Sequence, residues 1–208
     1  MKIHPSPYEQ VTSLTDVFLG LLAVYCAVSI ATLDGFKADI WTWAFGLLAF
    51  SSLIGAAVHG FVMSEKTYTR LWMPINLSLG LALGMFVVGA LNDLSGESIA
   101  RAAIPVMIIL GFGFFLVTVW KPGTFMTFIA YEAIAMLFAL GTYGYLFFTS
   151  SLSGAGWMLA GVIVTIFAAV IQATGKPGKG IVWYFDNNGV FHIIQMIGMF
   201  LLYFGLNT

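Results

Sequence analysis

The sequence predicts an all-α integral membrane bundle of seven transmembrane helices, and three observations carry that expectation. The 208 residues are 60% hydrophobic and only 8% charged, with a mean hydropathy of +0.97. A water-soluble domain carries about 25% charge. Seven apolar runs approach or reach the roughly 20 residues that one span needs. The charges and the glycine and proline turn residues gather in the short gaps between those runs. The alternating pattern of a membrane β-barrel is absent. No internal repeat or separate soluble domain shows, so residues 1–208 read as one transmembrane domain.

Taken in order, the spans are expected at 16–33, 41–63, 71–91, 102–120, 125–148, 156–173 and 189–206. The polar start, with Lys2, His4, Pro5, Pro7 and Glu9, lacks the apolar core and cleavage site of a signal peptide. The first run is therefore expected to stay in the membrane. The turns are expected at Asp34-Gly35, Asn92-Asp93 with Ser95-Gly96, Lys121-Pro122-Gly123, and Gly175-Lys176-Pro177-Gly178-Lys179-Gly180. Pro74 and Pro105 read as first-turn prolines, where the missing N–H does no harm. All six tryptophans fall near span ends, as an interfacial aromatic belt requires. The glycines within the spans, Gly80, Gly84, Gly111, Gly113, Gly141, Gly144 and Gly198, read as close helix contacts.

Basic residues set the expected orientation. Lys2, Lys66, Arg70, Lys121, Lys176 and Lys179 lie on the N-terminal side, against Lys37 and Arg101 on the other. That bias predicts a cytoplasmic N-terminus and an outside C-terminus, in a bacterial inner membrane. A net charge of −1 speaks against a nucleic-acid partner, which leaves membrane lipids. The single Cys26 excludes a disulfide framework and a thiolate metal site, and reads as a small buried hydrophobe. Oligomeric state leaves no mark in the sequence.

The rare polar groups are not scattered through the membrane. At 1.5 Å per helical residue, His59 falls near the cytoplasmic end of the second span, Asn76 early in the third and Glu132 about two turns into the fifth. Gln172 ends the sixth span. Asn188, His192 and Gln195 share one face at the start of the seventh, at i, i+4 and i+7. Asp16 opens the first span on the same side; it reads either as a member of this cluster or as a charge on the first turn of its helix. Gln172 reads equally as an interfacial residue, and Asn76 as interhelical glue. Glu132 is the one carboxylate well inside a span, which makes it a functional candidate. Its expected partners are His59, His192 or a metal.

This pattern resembles the CREST superfamily of seven-span proteins, which includes alkaline ceramidases, progestin and adipoQ receptors and hemolysin III-type proteins. That family carries serine-x-x-x-histidine at the end of span two, an aspartate early in span three and histidine-x-x-x-histidine early in span seven. Here the first motif reads Gly55-Ala56-Ala57-Val58-His59, with Ser52 one turn along the same face. The second position offers Asn76, and the third motif reads Asn188-Gly189-Val190-Phe191-His192. The resemblance implies a zinc-dependent hydrolase of lipid amides, and in this sequence His59, His192 and Glu132 are the candidate ligands. Two histidines, one carboxylate and a water is the composition of a hydrolytic zinc centre. Asp16 or Glu132 would carry the proton. The rival expectations are a receptor-like or transporter-like protein whose cluster binds a lipid or relays protons, and a purely structural polar network. A retinal protein is excluded because the last span has no lysine. No matching halves, selectivity filter or arginine row points to a sugar transporter or gated channel.

Overall fold

The computed structural model describes residues 2–121 and 125–208. It contains seven helices: α1 (Pro7–Ile30), α2 (Phe36–Gly60), α3 (Glu65–Ser95), α4 (Glu97–Trp120), α5 (Phe125–Phe148), α6 (Ala155–Thr174) and α7 (Asn187–Leu206). Each is long and apolar enough to cross a membrane. One short antiparallel pair, β1 (Lys2–Ile3) with β2 (Phe61–Val62), ties the start of the chain to the end of α2. The expected turn at Pro122-Gly123 lies outside the described residues.

Six helices form a ring in the order α1, α2, α3, α5, α6, α7, and α7 closes back on α1. α4 stands outside the ring, packed on α3 and only lightly on α5. Its sequence explains this. It is the most apolar helix, and only Ala100, Gly111 and Phe114 are buried along its length. A helix that is apolar all round can face lipid. The seam with α3 is made by small residues, as expected: a Cβ on Gly80 would lie 2.9 Å from the Gly111 carbonyl oxygen. Gly198 admits Thr165 in the same way, whereas Gly113, Gly141 and Gly144 face open space.

The helices are longer than their apolar runs. α1 begins at Pro7, nine residues before the expected start, with Ser6 ahead of a proline in the first turn. α3 has 31 residues and continues through Asn92 and Asp93 until Gly96, at φ 85°, ends it. Pro74 and Pro105 consequently sit inside helices rather than in first turns. In α1 and at the end of α3 the added polar residues have tertiary partners: Glu9 meets His59, Thr12 meets Asp186 and Asp93 meets Lys37.

Trp41 corrects the expected aromatic belt. It is 1% exposed and packs edge-on against Phe86 at 5.4 Å in the core at the far end of the bundle. Helix α2 starts early enough to carry it inward, and Gly89 leaves room for its ring. Trp43, Trp120, Trp157 and Trp183 are exposed, as a belt residue should be.

Candidate functional site

The site lies where α1 and α7 begin and α2 ends. On α1, Glu9, Thr12 and Asp16 follow at i, i+3 and i+7 and so share a face. At the rim, His59 Nδ1 meets Glu9 Oε2 at 2.7 Å, and both side chains retain some contact with solvent. Trp72 of α3 sits edge-on to the His59 ring at 6.2 Å.

Deeper in, His192 Nε2 faces Asp16 Oδ1 at 3.4 Å, with both side chains under 10% exposed. The other ring nitrogen, Nδ1, lies 2.9 Å from the Thr15 hydroxyl. That hydroxyl donates to the Thr12 carbonyl at 2.9 Å. A hydroxyl has one proton to give. With that proton on the Thr12 carbonyl, Thr15 accepts from Nδ1–H, and this is the tautomer a proton relay would use. Nε2 is left facing the carboxyl group of Asp16 within ion-pair distance, and the pair is neutral with one proton on either partner. Removing that proton would strand a carboxylate in a low-dielectric interior, at a cost of several kcal/mol.

The two pairs are electrostatically linked. His59 is close enough to Asp16, Asp186 and His192 for their charges to act on one another. Gly55, where the resemblance would place a serine, has a physical role of its own. A Cβ there would lie 2.9 Å from Asp16 Oδ2, so glycine makes room for the carboxyl group.

Asp186 anchors the site from the loop side. Its Oδ1 caps α7 by accepting from the Asn188 and Gly189 amides at 3.0 and 3.1 Å, and from Thr12 Oγ1 at 3.4 Å. Its Oδ2 accepts from the Gly178 amide at 2.8 Å. Asn187 Nδ2 donates to the Gln172 carbonyl at 2.9 Å, and Gln172 Nε2 to Asn188 Oδ1 at 3.4 Å. These bonds lock the end of α6 to the start of α7.

The structure thus brings Asp16 to His192 and Gln172 to Asn188, with His59 in electrostatic reach. Asp16 is not a first-turn charge: α1 starts at Pro7, so Asp16 lies in its third turn and is buried. Ser52 is buried on α2, Asn76 is half-buried one turn beyond Trp72, and neither joins the bonded pairs. Gln195 follows His192 by one turn, and its buried Oε1 has no hydrogen-bond partner.

Glu132 does not join the histidines. It is buried on α5, a helix that packs chiefly on α6 and α3, and its Oε2 has no partner. His59 and His192 belong to α2 and α7. Among the described residues no three His, Cys, Asp or Glu side chains converge as metal ligands. His59 Nδ1 is committed to Glu9, and both ring nitrogens of His192 are engaged. As arranged, His59, His192 and Glu132 do not fit a zinc centre.

Four bonded members, Glu9, Thr12, Thr15 and Asp186, were not expected from the sequence. The first three sit in what reads as a polar lead-in to the first span; their helical spacing on the face of Asp16 was the available signal. Asp186 precedes an apolar run, which is the signature of a helix N-cap.

Among known families, one model matches residues 11–208, almost the whole chain. The chain belongs to DUF6962, a family of unknown function. The DUF6962 match spans Thr12, Thr15, Asp16, His59, Asp186 and His192, and leaves Glu9 just outside. No curated protein and no solved structure matches the chain.

Proposed function

We propose that this protein is a transporter-like membrane protein whose two histidine–carboxylate pairs carry the first steps of proton movement across the membrane, from water at one face into the bundle interior. The observation that carries this reading is the buried His192–Asp16 pair, with the proton on Nδ1 assigned through Thr15. The pair is neutral with one proton on either partner, and it stays neutral when a proton arriving from one side is matched by one leaving to the other. The rim pair, His59–Glu9, touches solvent and supplies the entrance. No direct hydrogen bond joins the two pairs among the described residues, so a bridging water or a rotamer change must complete the path. A protonated His59 repels a second proton on His192, which favours loading one pair at a time.

The basic bias of this end supports an entrance on the cytoplasmic face, in an inner membrane of bacterial type. The hydrolase reading keeps His59 at the end of α2 and His192 in the first turns of α7. It would need Glu132 or another acid to move onto both histidines. Bound zinc lost in both His59→Ala and His192→Ala would favour that reading over the relay.

The relay is tested in liposomes that enclose a pH-sensitive dye, with a potassium diffusion potential as the driving force. Wild-type protein should acidify the lumen faster than empty vesicles, and Asp16→Asn or His192→Gln should return the rate to background. Wild-type flux equal to that of empty vesicles would overturn the proposal.

A further inference from the structure

The loop between α6 and α7 has a surface that the relay does not use. The Lys179 amide donates to the Lys176 carbonyl at 3.1 Å and closes a tight turn. Pro177 and Gly178 occupy its middle positions, and Gly178 has φ 71°, the combination a type II turn requires. Such a turn keeps its first and last Cα atoms within about 7 Å, so the two lysines stand together. Both are exposed, and neither has a carboxylate within ion-pair distance among the described residues.

A second tight turn follows directly. The Phe185 amide donates to the Val182 carbonyl at 2.9 Å, and the Ile181 amide to the Phe185 carbonyl at 2.7 Å. Trp183 stands at its tip, 86% exposed and held at φ 49°. That left-handed backbone is uncommon for a bulky residue and persists only where its surroundings enforce it. Gly180 permits the fold, because a Cβ there would strike the Trp183 carbonyl oxygen. Asp186 fixes the first turn to the start of α7 through the Gly178 amide. Beside the tip, Val11, Trp183, Tyr184 and Phe185 line an open apolar groove of about 530 Å³.

The charge of this end matches the chemistry of a lipid phosphate. Its acids Glu9, Asp16, Glu132 and Asp186 are buried or half-buried, which leaves Glu65 as its one exposed carboxylate among the described residues. At the far end Lys37 and Arg101 are paired with Asp93 and Glu97. We infer that this loop is a binding site for an anionic phospholipid of the surrounding bilayer. The headgroup phosphate sits between Lys176 and Lys179, and the first acyl carbons lie in the groove beside Trp183. Each lysine near a bilayer surface contributes about fivefold to anionic-lipid binding, and an indole is suited to the depth where headgroup meets chain. This inference is independent of the proton relay.

Brominated lipids quench tryptophan on contact. The protein is reconstituted in phosphatidylcholine vesicles that contain an equal fraction of brominated phosphatidylglycerol or brominated phosphatidylcholine. Subtracting the signal of Trp183→Phe isolates Trp183. The expected result is several-fold stronger quenching by brominated phosphatidylglycerol, a preference that disappears in the Lys176→Ser/Lys179→Ser double variant. These lysines are exposed and bond through their backbones, so the variant keeps the turn, and circular dichroism checks that it does. Equal quenching by the two lipids, a preference that survives the double substitution, or no quenching by either would overturn the inference.

Discussion

Two buried acids, Asp93 at the far end of the bundle and Asp16 at the near end, are held in opposite ways. At the far end Asp93 is almost completely enclosed, and both its oxygens are used: Oδ1 by Lys37 at 2.8 Å and Oδ2 by the Tyr143 hydroxyl at 3.1 Å. Around it lies an aromatic core of Trp41, Phe45 and Phe86. At the near end Asp16 has one partner at 3.4 Å, Glu132 Oε2 has none, and Gln172, Asn187 and Gln195 each leave a buried oxygen unpaired. A saturated polar group serves the fold. An unsaturated buried one costs stability, and Trp41 Nε1 and Thr42 Oγ1 are unpaired at the far end as well. Asp93 is a clamp, and Asp16 belongs to the candidate site.

The largest test of this contrast breaks the clamp. Asp93→Leu strands the Lys37 ammonium and the buried Tyr143 hydroxyl, and should destabilise the protein by about 3 kcal/mol. Thermal unfolding in detergent reads this, while proton flux per folded molecule should hold. A smaller effect is expected from Gly55→Ala. The added Cβ meets Asp16 Oδ2, and overpacking of this kind costs about 2 kcal/mol. Here the loss of flux should exceed the loss of stability, because the carboxyl group is pushed off His192. Smaller again is Asp186→Ala, which removes the cap of α7 for about 1.5 kcal/mol. Hydrogen exchange at Asn188 and Gly189 should rise while the far end stays protected.

The bundle was legible because hydropathy is a property of whole segments. Seven apolar runs and their turns placed every helix, and the polar residues were expected at the end where they cluster. The helix starts were not legible. Glu9, Thr12 and Asp16 look like a tail until His59, Asp186 and His192 arrive from α2, the last loop and α7 to satisfy them. Glu132 was the opposite case. Its depth in the span suggested the histidines as partners, but depth alone leaves the angle around the ring open. α5 stands across from α1 in that ring, beyond α6 and α7 on one side and α2 and α3 on the other. Gly55 read as a missing serine until the carboxyl group of Asp16 was seen to occupy the space beside it. Pairwise packing between distant segments carries this information, and one sequence does not display it.

The central claim is that His192 and Asp16 form a neutral pair, with one proton on either partner, while Nδ1 stays protonated through Thr15. Nitrogen-15 NMR of the histidine rings, with the protein in lipid nanodiscs and His192 assigned by substitution, measures this directly. The account predicts a protonated Nδ1 across neutral pH, with Nε2 shifted by the Asp16 carboxyl group and that shift altered in Asp16→Asn. A His192 ring protonated on Nε2 alone, with a bare Nδ1 and no response to Asp16→Asn, would contradict it.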